Sequence, residues 1–270
     1  MVRYVTYYLL ALSLLIINNT TQAQSIDKWK SGSASNLTDD VLLLVCFIST
    51  PNDNWSSVEK TEMLNNLVQT ENWLKEQSQK YDVKINFKQV LLNEGNDIIF
   101  DTIEPGLASG KERVDWVYRV IKKIGYCNSK QACRKIRSKY NVDNIIVIII
   151  AHGNGRPYSM QYAKGINKKK YFTEGMIVYN KYLSGAPMPT TAVLAHELLH
   201  LFGAWDLYKT YAQTYDRQIK AHELYPNDIM LRIDHNINTL EIDNLTAWQI
   251  GWKNNQEDIF EWFRPSDYKK

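Results

Sequence analysis

Residues 190–208 read TTAVLAHELLHLFGAWDLY, and we expect the rest of the chain to be organised around this stretch. It contains His196 and His200, four residues apart, with Glu197 directly after the first histidine. Side chains four positions apart lie on one face of an α-helix, with about 5–6 Å between their Cβ atoms. On a helix the two imidazoles can therefore bind one metal ion, and Glu197 can reach a water molecule on that ion.

The same stretch carries the signals of a helix with a defined start and end. Thr190 or Thr191 can cap the helix N-terminus, because a threonine hydroxyl accepts a hydrogen bond from a free backbone N–H of the first turn. Gly203 suits the helix end, since glycine readily adopts the positive φ that the first residue beyond a helix often needs. A core-facing stripe recurs at i, i+4 and i+7 and consists of Leu194, Leu198 and Leu201.

A third metal ligand is expected just beyond Gly203, where the chain can turn back toward the two histidines. Asp206 is the first metal-binding side chain there, and His222 and Glu223 are the alternatives. Three protein ligands leave the fourth position of a zinc ion open for water, as catalytic zinc requires. Zinc lowers the pKa of such a water toward about 7, and Glu197 can take its proton and then deliver a proton to a leaving amine.

The pattern H-E-x-x-H-x-x-G-x-x-D, followed by Met230 in PNDIM, resembles the metzincin zinc metallopeptidases. The third ligand of that family is usually a histidine, and the aspartate here is similar to the snapalysins and to the immune inhibitor A and gametolysin-like peptidases. Metzincins carry a methionine-containing turn, the Met-turn, after the histidine motif. Residues 245–252 also resemble the helix that follows this turn in the immune inhibitor A and gametolysin-like peptidases. The resemblance implies one catalytic Zn²⁺ held by His196, His200 and Asp206, with Glu197 as the catalytic residue and Met230 packed beneath. We assign no structural calcium site.

Two departures from the family pattern affect what can be carried over. Residue 232 is an arginine, where some metzincins have a tyrosine close to the Met-turn that serves as an extra ligand or oxyanion donor. We find no cysteine-containing prodomain segment that could block the metal. The role of an oxyanion donor is therefore not assigned to any side chain, and Cys46, which lies in an apolar run, is interpreted as a buried thiol.

The N-terminus predicts export. Arg3 precedes an apolar run over residues 4–17, and Thr21, Gln22 and Ala23 form a small-x-small cleavage site. We therefore expect a signal peptide at residues 1–23, with an uncleaved anchor as the alternative, and a secreted or periplasmic protein without a membrane span after cleavage. The polar residues 24–40 are expected to form a flexible leader.

The order of elements predicts an α/β (α+β) fold. Strands are expected at residues 41–50, 83–92, 144–151, 158–163 and 176–182, and helices at residues 57–80, 112–125, 131–140, 190–203, 240–252 and 258–263. Alternating strands and helices predict a mostly parallel, twisted five-stranded sheet with an antiparallel edge strand, packed on helices. We expect one peptidase domain, residues 41–270, with an N-terminal lobe (41–203) and a small irregular or helical C-terminal lobe (204–270).

Charge and cysteine content limit the other possibilities. The formal net charge is only +3, and the lysines at residues 164 and 168–170 are expected to lie in a solvated loop, so we predict no nucleic-acid partner. Cys127 and Cys133 can pair in an exported protein or remain free. We expect a monomer.

The sequence therefore predicts a secreted zinc-dependent endopeptidase acting on protein or peptide substrates. The edge strand can hold an extended substrate by main-chain pairing, and Tyr158, Tyr162 and Trp205 are candidates for the border of the cleft. His152 is expected in a turn, with a position lining the cleft as the alternative, and His235 is expected in a loop. The alternative is an exported interaction module with a structural zinc site and no proteolytic activity. A narrow exopeptidase, or a zinc hydrolase acting on a non-protein amide, is a third possibility.

Overall fold

The computed structural model describes residues 32–106, 114–161, 173–187, 190–232 and 236–265. Within these residues the strands are β1 (Asp39–Ser49), β2 (Ile85–Leu91), β3 (Ile98–Ile99), β4 (Asn144–Asn154), β5 (Tyr158–Met160) and β6 (Glu174–Lys181). The α-helices in the same residues are α1 (Ser57–Gln79), α2 (Trp116–Lys123), α3 (Ser129–Tyr140), α4 (Thr191–Leu201), α5 (Tyr215–Leu224), α6 (Asn244–Gln249) and α7 (Asp258–Trp262).

The strands form one sheet in the order β2-β1-β4-β6-β5, and β3 pairs with the end of β1. Every pairing is parallel except that of β5, which runs antiparallel to β6 at the edge of the sheet. The predicted mixed α/β class and mostly parallel sheet are confirmed. The predicted number of five strands is wrong, because β3 is a two-residue strand that pairs only with Ile48 and Ser49. Two residues are too few to produce a recognisable hydrophobic period.

The two central strands, β1 and β4, are buried on both faces, as their continuous apolar sequences predict. Alternate side chains of β1 enter two separate apolar clusters, because successive residues of a strand point to opposite faces. One cluster lies between the sheet and helices α2 and α3. The other contains residues of α1, α4, α6 and α7, so the two predicted lobes share one core.

Helix α4 lies in the second of these clusters, where it contacts α1 and the two strands β5 and β6 at one side of the sheet. Nine of its 11 residues are buried, including the predicted stripe of Leu194, Leu198 and Leu201. Helix α1 begins at a capping box formed by Ser56 and Glu59 and is joined to α4 by a hydrogen bond from Thr70 Oγ1 to the carbonyl of Thr191, 3.2 Å long. The histidine-bearing helix is therefore held by both neighbouring helices and strands.

The end of the predicted leader differs from expectation where the structure describes it. Ser33, Ala34 and Leu37 are fully buried, and β1 already begins at Asp39. The Ser33 hydroxyl donates to the carbonyl oxygen of Ile145 at 2.7 Å, and the Ala34 N–H donates to the buried Glu174 carboxylate at 2.8 Å. This segment therefore supplies hydrogen-bond donors to a backbone carbonyl near the start of β4 and to a carboxylate at the start of β6. The predicted signal peptide lies outside the described residues.

Helix α5 is absent from the sequence-based prediction, which places no helix between residues 203 and 240. Only Ala221 of this helix is buried, so there is no apolar stripe from which the helix could be recognised. Its start is marked by Thr214, whose side chain accepts a hydrogen bond from the N–H of Arg217. The predicted helix at 240–252 is shorter, Asn244–Gln249, because residue 241 pairs with Asp228 in a β-bridge.

Three smaller expectations can also be compared with the structure. All three cysteines are free, with Cys46 and Cys133 buried and Cys127 exposed, so the possible disulfide is not formed. His152 lies in β4 and not in a turn, because the strand continues to Asn154. No helix in the described part of the chain is long and apolar enough to cross a membrane.

Candidate metal centre

The geometry of α4 and of the turn that ends it brings three side chains together. Thr190 caps the helix, with its side chain accepting from the N–H of Val193 at 3.3 Å. At the other end Gly203 has a φ of +96°, its N–H donates to the carbonyl of His200, and the next N–H donates to the carbonyl of Leu199. These are the two hydrogen bonds of a Schellman motif, which reverses the chain. Asp206 is thereby returned to the face that carries the histidines.

The three potential ligand atoms form a nearly equilateral triangle. Nε2 of His196 lies 3.2 Å from Nε2 of His200, and Oδ1 of Asp206 lies 3.3 Å and 3.2 Å from these two nitrogens. Ligand atoms on a tetrahedral zinc ion with bonds of about 2.0–2.1 Å are about 3.3–3.4 Å apart. The spacing therefore fits a tetrahedral metal site. Within the described residues these three side chains are the group that could hold a metal ion.

Backbone carbonyls fix the protonation of both rings. Nδ1 of His196 lies 3.0 Å from the carbonyl oxygen of Ile229, and Nδ1 of His200 lies 2.8 Å from that of Ala204. A carbonyl oxygen can only accept, so each Nδ1 carries the hydrogen and each Nε2 of a neutral ring presents a lone pair. Oδ1 of Asp206 is buried and lies beside both ring nitrogens. Three acceptors thus converge on one point, and a cation would satisfy all of them.

The charges around the triangle favour a positive species there. Burial lowers the pKa of His200, but the charge of Asp206 and its hydrogen bond outweigh burial and raise that pKa to about 9. Burial acts on Asp206 in the opposite sense, yet the charge of His200 and the contacts with both rings hold the pKa of Asp206 well below its ordinary value. Asp206 is therefore ionised, and the space beside it attracts either a proton or a metal ion.

Met230 lies in a buried turn that is hydrogen-bonded to the segments carrying His196 and Asp206. The N–H of Met230 donates to Asp228 Oδ1 at 2.7 Å, while the carbonyl oxygen of Met230 accepts from the N–H of Leu207 at 2.9 Å. Oδ2 of Asp228 accepts from the N–H of Asp243 at 2.9 Å. Burial raises the pKa of Asp228 to about 7. The turn is thus tied to His196 through Ile229 and to the Asp206 loop through Leu207.

Glu197 and Tyr208 lie beside the triangle. Glu197 is 9% exposed, and Ser159 Oγ donates to it, lying 2.8 Å from Oε2 and 2.6 Å from the backbone carbonyl oxygen. The ring of Tyr208 stacks on that of His196, with 6.1 Å between centroids and 25° between planes. Burial, together with the charges of Asp206 and Glu197, raises the pKa of Tyr208, so its hydroxyl keeps its proton and can donate to Asp206.

The remaining candidates do not reach the site. His222 and Glu223 are exposed on α5, and Glu223 pairs with Lys220 at 2.7 Å. His152 instead lies between Asp53, at 3.0 Å, and Glu59, at 3.4 Å. Tyr162 and His235 fall outside the described residues.

Two residues expected at the border of the cleft belong to the core. Tyr158 is 5% exposed and its hydroxyl donates to the carbonyl of Val114 at 2.7 Å. Trp205 is 2% exposed and packs against Trp248. Both aromatic side chains are buried within the protein, so the expectation that they border the cleft is wrong.

Three residues of this region were not identified from the sequence. Ser159 has a weak local signal, because Tyr158 and Met160 flank it in a three-residue strand and a serine between two apolar residues must face the opposite side. Asp228 precedes Met230 by two positions, a spacing at which aspartate commonly accepts from a backbone N–H. Tyr208 has no signal beyond its proximity to Asp206.

Comparison with known proteins adds no family to these observations. No family model matches the sequence, and a search of curated proteins finds none that is similar. The function of the site must therefore be argued from its geometry and chemistry.

Proposed function

We propose that this chain is a secreted zinc-dependent endopeptidase of the metzincin type. The observation that carries the proposal is the triangle formed by His196, His200 and Asp206, in which three acceptor atoms lie 3.2–3.3 Å apart. Two imidazoles and one carboxylate are a ligand set that suits zinc, and three protein ligands leave a position for a reacting water. The resemblance of residues 190–208 and Met230 to metzincins supports the same conclusion.

In the proposed hydrolysis of a peptide bond, Glu197 and Tyr208 have separate roles. Bound zinc would polarise the substrate carbonyl and lower the pKa of the attacking water. Glu197 would accept the proton of that water on its carboxylate, which Ser159 contacts at Oε2. The same carboxyl group would then deliver the proton to the departing amine. Tyr208, which covers the ring of His196, would limit the access of further water to the ligands.

The position of β5 supports cleavage within a chain rather than at its ends. This strand is the antiparallel edge of the sheet, and no described strand pairs with its outer side. An extended peptide can pair with such an edge through main-chain hydrogen bonds, which do not require a free terminus. Since Ser159 in β5 contacts Glu197, a peptide paired with β5 would run beside the carboxylate that handles the proton.

The proposal is tested by zinc analysis of the purified protein and by mass spectrometry of a peptide library after digestion. Glu197→Gln should retain one zinc ion per chain and lose cleavage, because the amide cannot accept the proton. A matched control exists in the chain, since residues 195–198 and 221–224 both read AHEL. Glu223→Gln on α5 should leave zinc content and cleavage unchanged.

Each failure has a distinct meaning. A protein that binds zinc but cleaves no peptide would be the exported interaction module with a structural zinc site. Cleavage by Glu197→Gln at the rate of the parent would show that the assigned mechanism is wrong. A protein that binds no zinc would contradict the metal site itself.

A further inference from the structure

The edge strand β5 and the carboxylate of Glu197 are joined by one hydroxyl group. Ser159 Oγ lies 2.8 Å from Glu197 Oε2 and 2.6 Å from the backbone carbonyl oxygen of the same residue. The hydroxyl has one hydrogen, and both of its possible acceptors belong to Glu197. Directed at Oε2 the hydrogen holds the carboxylate, and directed at the carbonyl oxygen it holds the backbone of the same residue.

The direction of the Ser159 side chain follows from the alternation of the strand. Its neighbours Tyr158 and Met160 pack into the apolar cluster that contains α2 and α3, on one face of the sheet. Ser159 must point to the opposite face, where α4 contacts β5. In the described part of the chain no other side chain donates a hydrogen bond to the Glu197 carboxylate, so Ser159 is the group that sets its position.

We propose that Ser159 is a positioning residue that holds Glu197 for proton transfer and couples this carboxylate to the substrate-binding strand. This inference rests on the proposed peptidase function. When the hydroxyl hydrogen is directed at Oε2, that oxygen is held in place and Oε1 faces the proton to be accepted. Ser159 also belongs to β5. The same three-residue strand would therefore position both the backbone of a paired peptide and the carboxylate that accepts the proton.

This coupling matters because the rate of a proton transfer depends strongly on position. A displacement of about 1 Å in a reacting group can lower a rate by about 100-fold. Without the hydroxyl, the Glu197 carboxylate would lose the hydrogen bond at Oε2, while the three residues of the triangle and the β5 edge would remain in place. The loss should therefore appear in kcat, with little change in KM or in zinc content.

The experiment compares Ser159→Thr with Ser159→Val. Both new side chains are β-branched and suit a strand, and they differ only in a hydroxyl and a methyl group. Ser159→Thr should retain most of kcat on a peptide that the parent cleaves. Ser159→Val should lower kcat by about 10–100-fold, up to the loss expected when a reacting group is displaced by about 1 Å. KM, zinc content and melting temperature should stay close to those of the threonine variant.

Two results would overturn the inference. The first is a kcat for the valine variant equal to that of the threonine variant. The second is a crystal structure of the valine variant in which the Glu197 carboxylate keeps its position, a measurement that does not require activity. A parent protein that cleaves no peptide would count against the proposed function, and the crystal structures of the two variants would still decide whether the hydroxyl positions Glu197.

Discussion

Nδ1 of His196 donates to the backbone carbonyl oxygen of Ile229 at 3.0 Å, and this bond joins helix α4 to a turn 33 residues further along the chain. It holds the imidazole in the tautomer that presents Nε2 to the triangle. Asp228 fixes this turn, because its Oδ1 accepts a hydrogen bond from the N–H of Met230. The ligand geometry therefore depends on a buried turn that contributes no ligand of its own.

Loss of a side chain that hydrogen-bonds to a metal ligand weakens metal binding by roughly 10–100-fold. Asp206→Ala should weaken zinc binding by more than this, because it removes a proposed ligand itself. Zinc affinity can be measured by competition with a chromophoric chelator. His222→Ala is the control, since His222 is exposed on α5 and should not affect the affinity. Unchanged zinc affinity in Asp206→Ala, with reduced affinity in His222→Ala, would transfer the third ligand to the α5 histidine.

Tyr208→Phe should lower zinc affinity by about 10-fold, because the hydroxyl that can donate to Asp206 is lost while the ring stacked on His196 remains. The same chelator competition measures the effect. Tyr215→Phe removes a hydroxyl from a side chain that is 61% exposed on α5 and serves as the matched control. Equal affinities for the two variants would show that Tyr208 does not orient the aspartate.

Met230→Ala should lower the free energy of unfolding by about 2–5 kcal/mol, since it leaves a cavity at a fully buried position. Met230→Leu conserves most of the volume and should cost less than about 1.5 kcal/mol. Urea unfolding followed by tryptophan fluorescence gives both values. Zinc content should remain at one ion per chain in both variants, and its loss from a folded Met230→Leu protein would indicate that the sulfur binds the metal.

The pKa of Asp228 predicts how stability changes with pH. Burial raises this pKa from 3.8 to about 7, so between these values the folded state binds more protons than the unfolded state. The contribution of Asp228 to the free energy of unfolding therefore falls as the pH rises through this window, by at most about 1.4 kcal/mol per pH unit. Asp228→Asn should lack this component.

The measurement is the difference in unfolding free energy between the parent and Asp228→Asn at several values between about pH 4 and pH 8. Taking the difference removes the effects of other groups, including the histidines, that titrate in both proteins. Asp101→Asn, at an exposed loop position, should show no such pH-dependent difference from the parent. A constant difference for Asp228→Asn across the range would mean that the Asp228 pKa is not raised by folding.

Local patterns account for the parts of the fold that could be predicted. The N-cap at Thr190, the buried leucine stripe of α4 and the positive φ of Gly203 all depend on residues within one or two helical turns. The central strand β4 was recognisable because its apolar, β-branched run is buried on both faces. Helix α5 was not recognisable, since a helix that buries only Ala221 leaves no hydrophobic period in its sequence.

For this protein, the sequence by itself determined the five longer or edge strands and most of the helices along the chain, the spacing of the two histidines on one helix, and the turn that precedes Asp206. Only the tertiary structure decided that Ser159 reaches Glu197 across 38 residues and that Ser33 reaches the backbone of Ile145 across 112 residues. The physical reason is that periodicity and capping act within a few residues of each other. A hydrogen bond between distant segments forms when packing of the whole chain brings them together, and it leaves no periodic trace in the sequence.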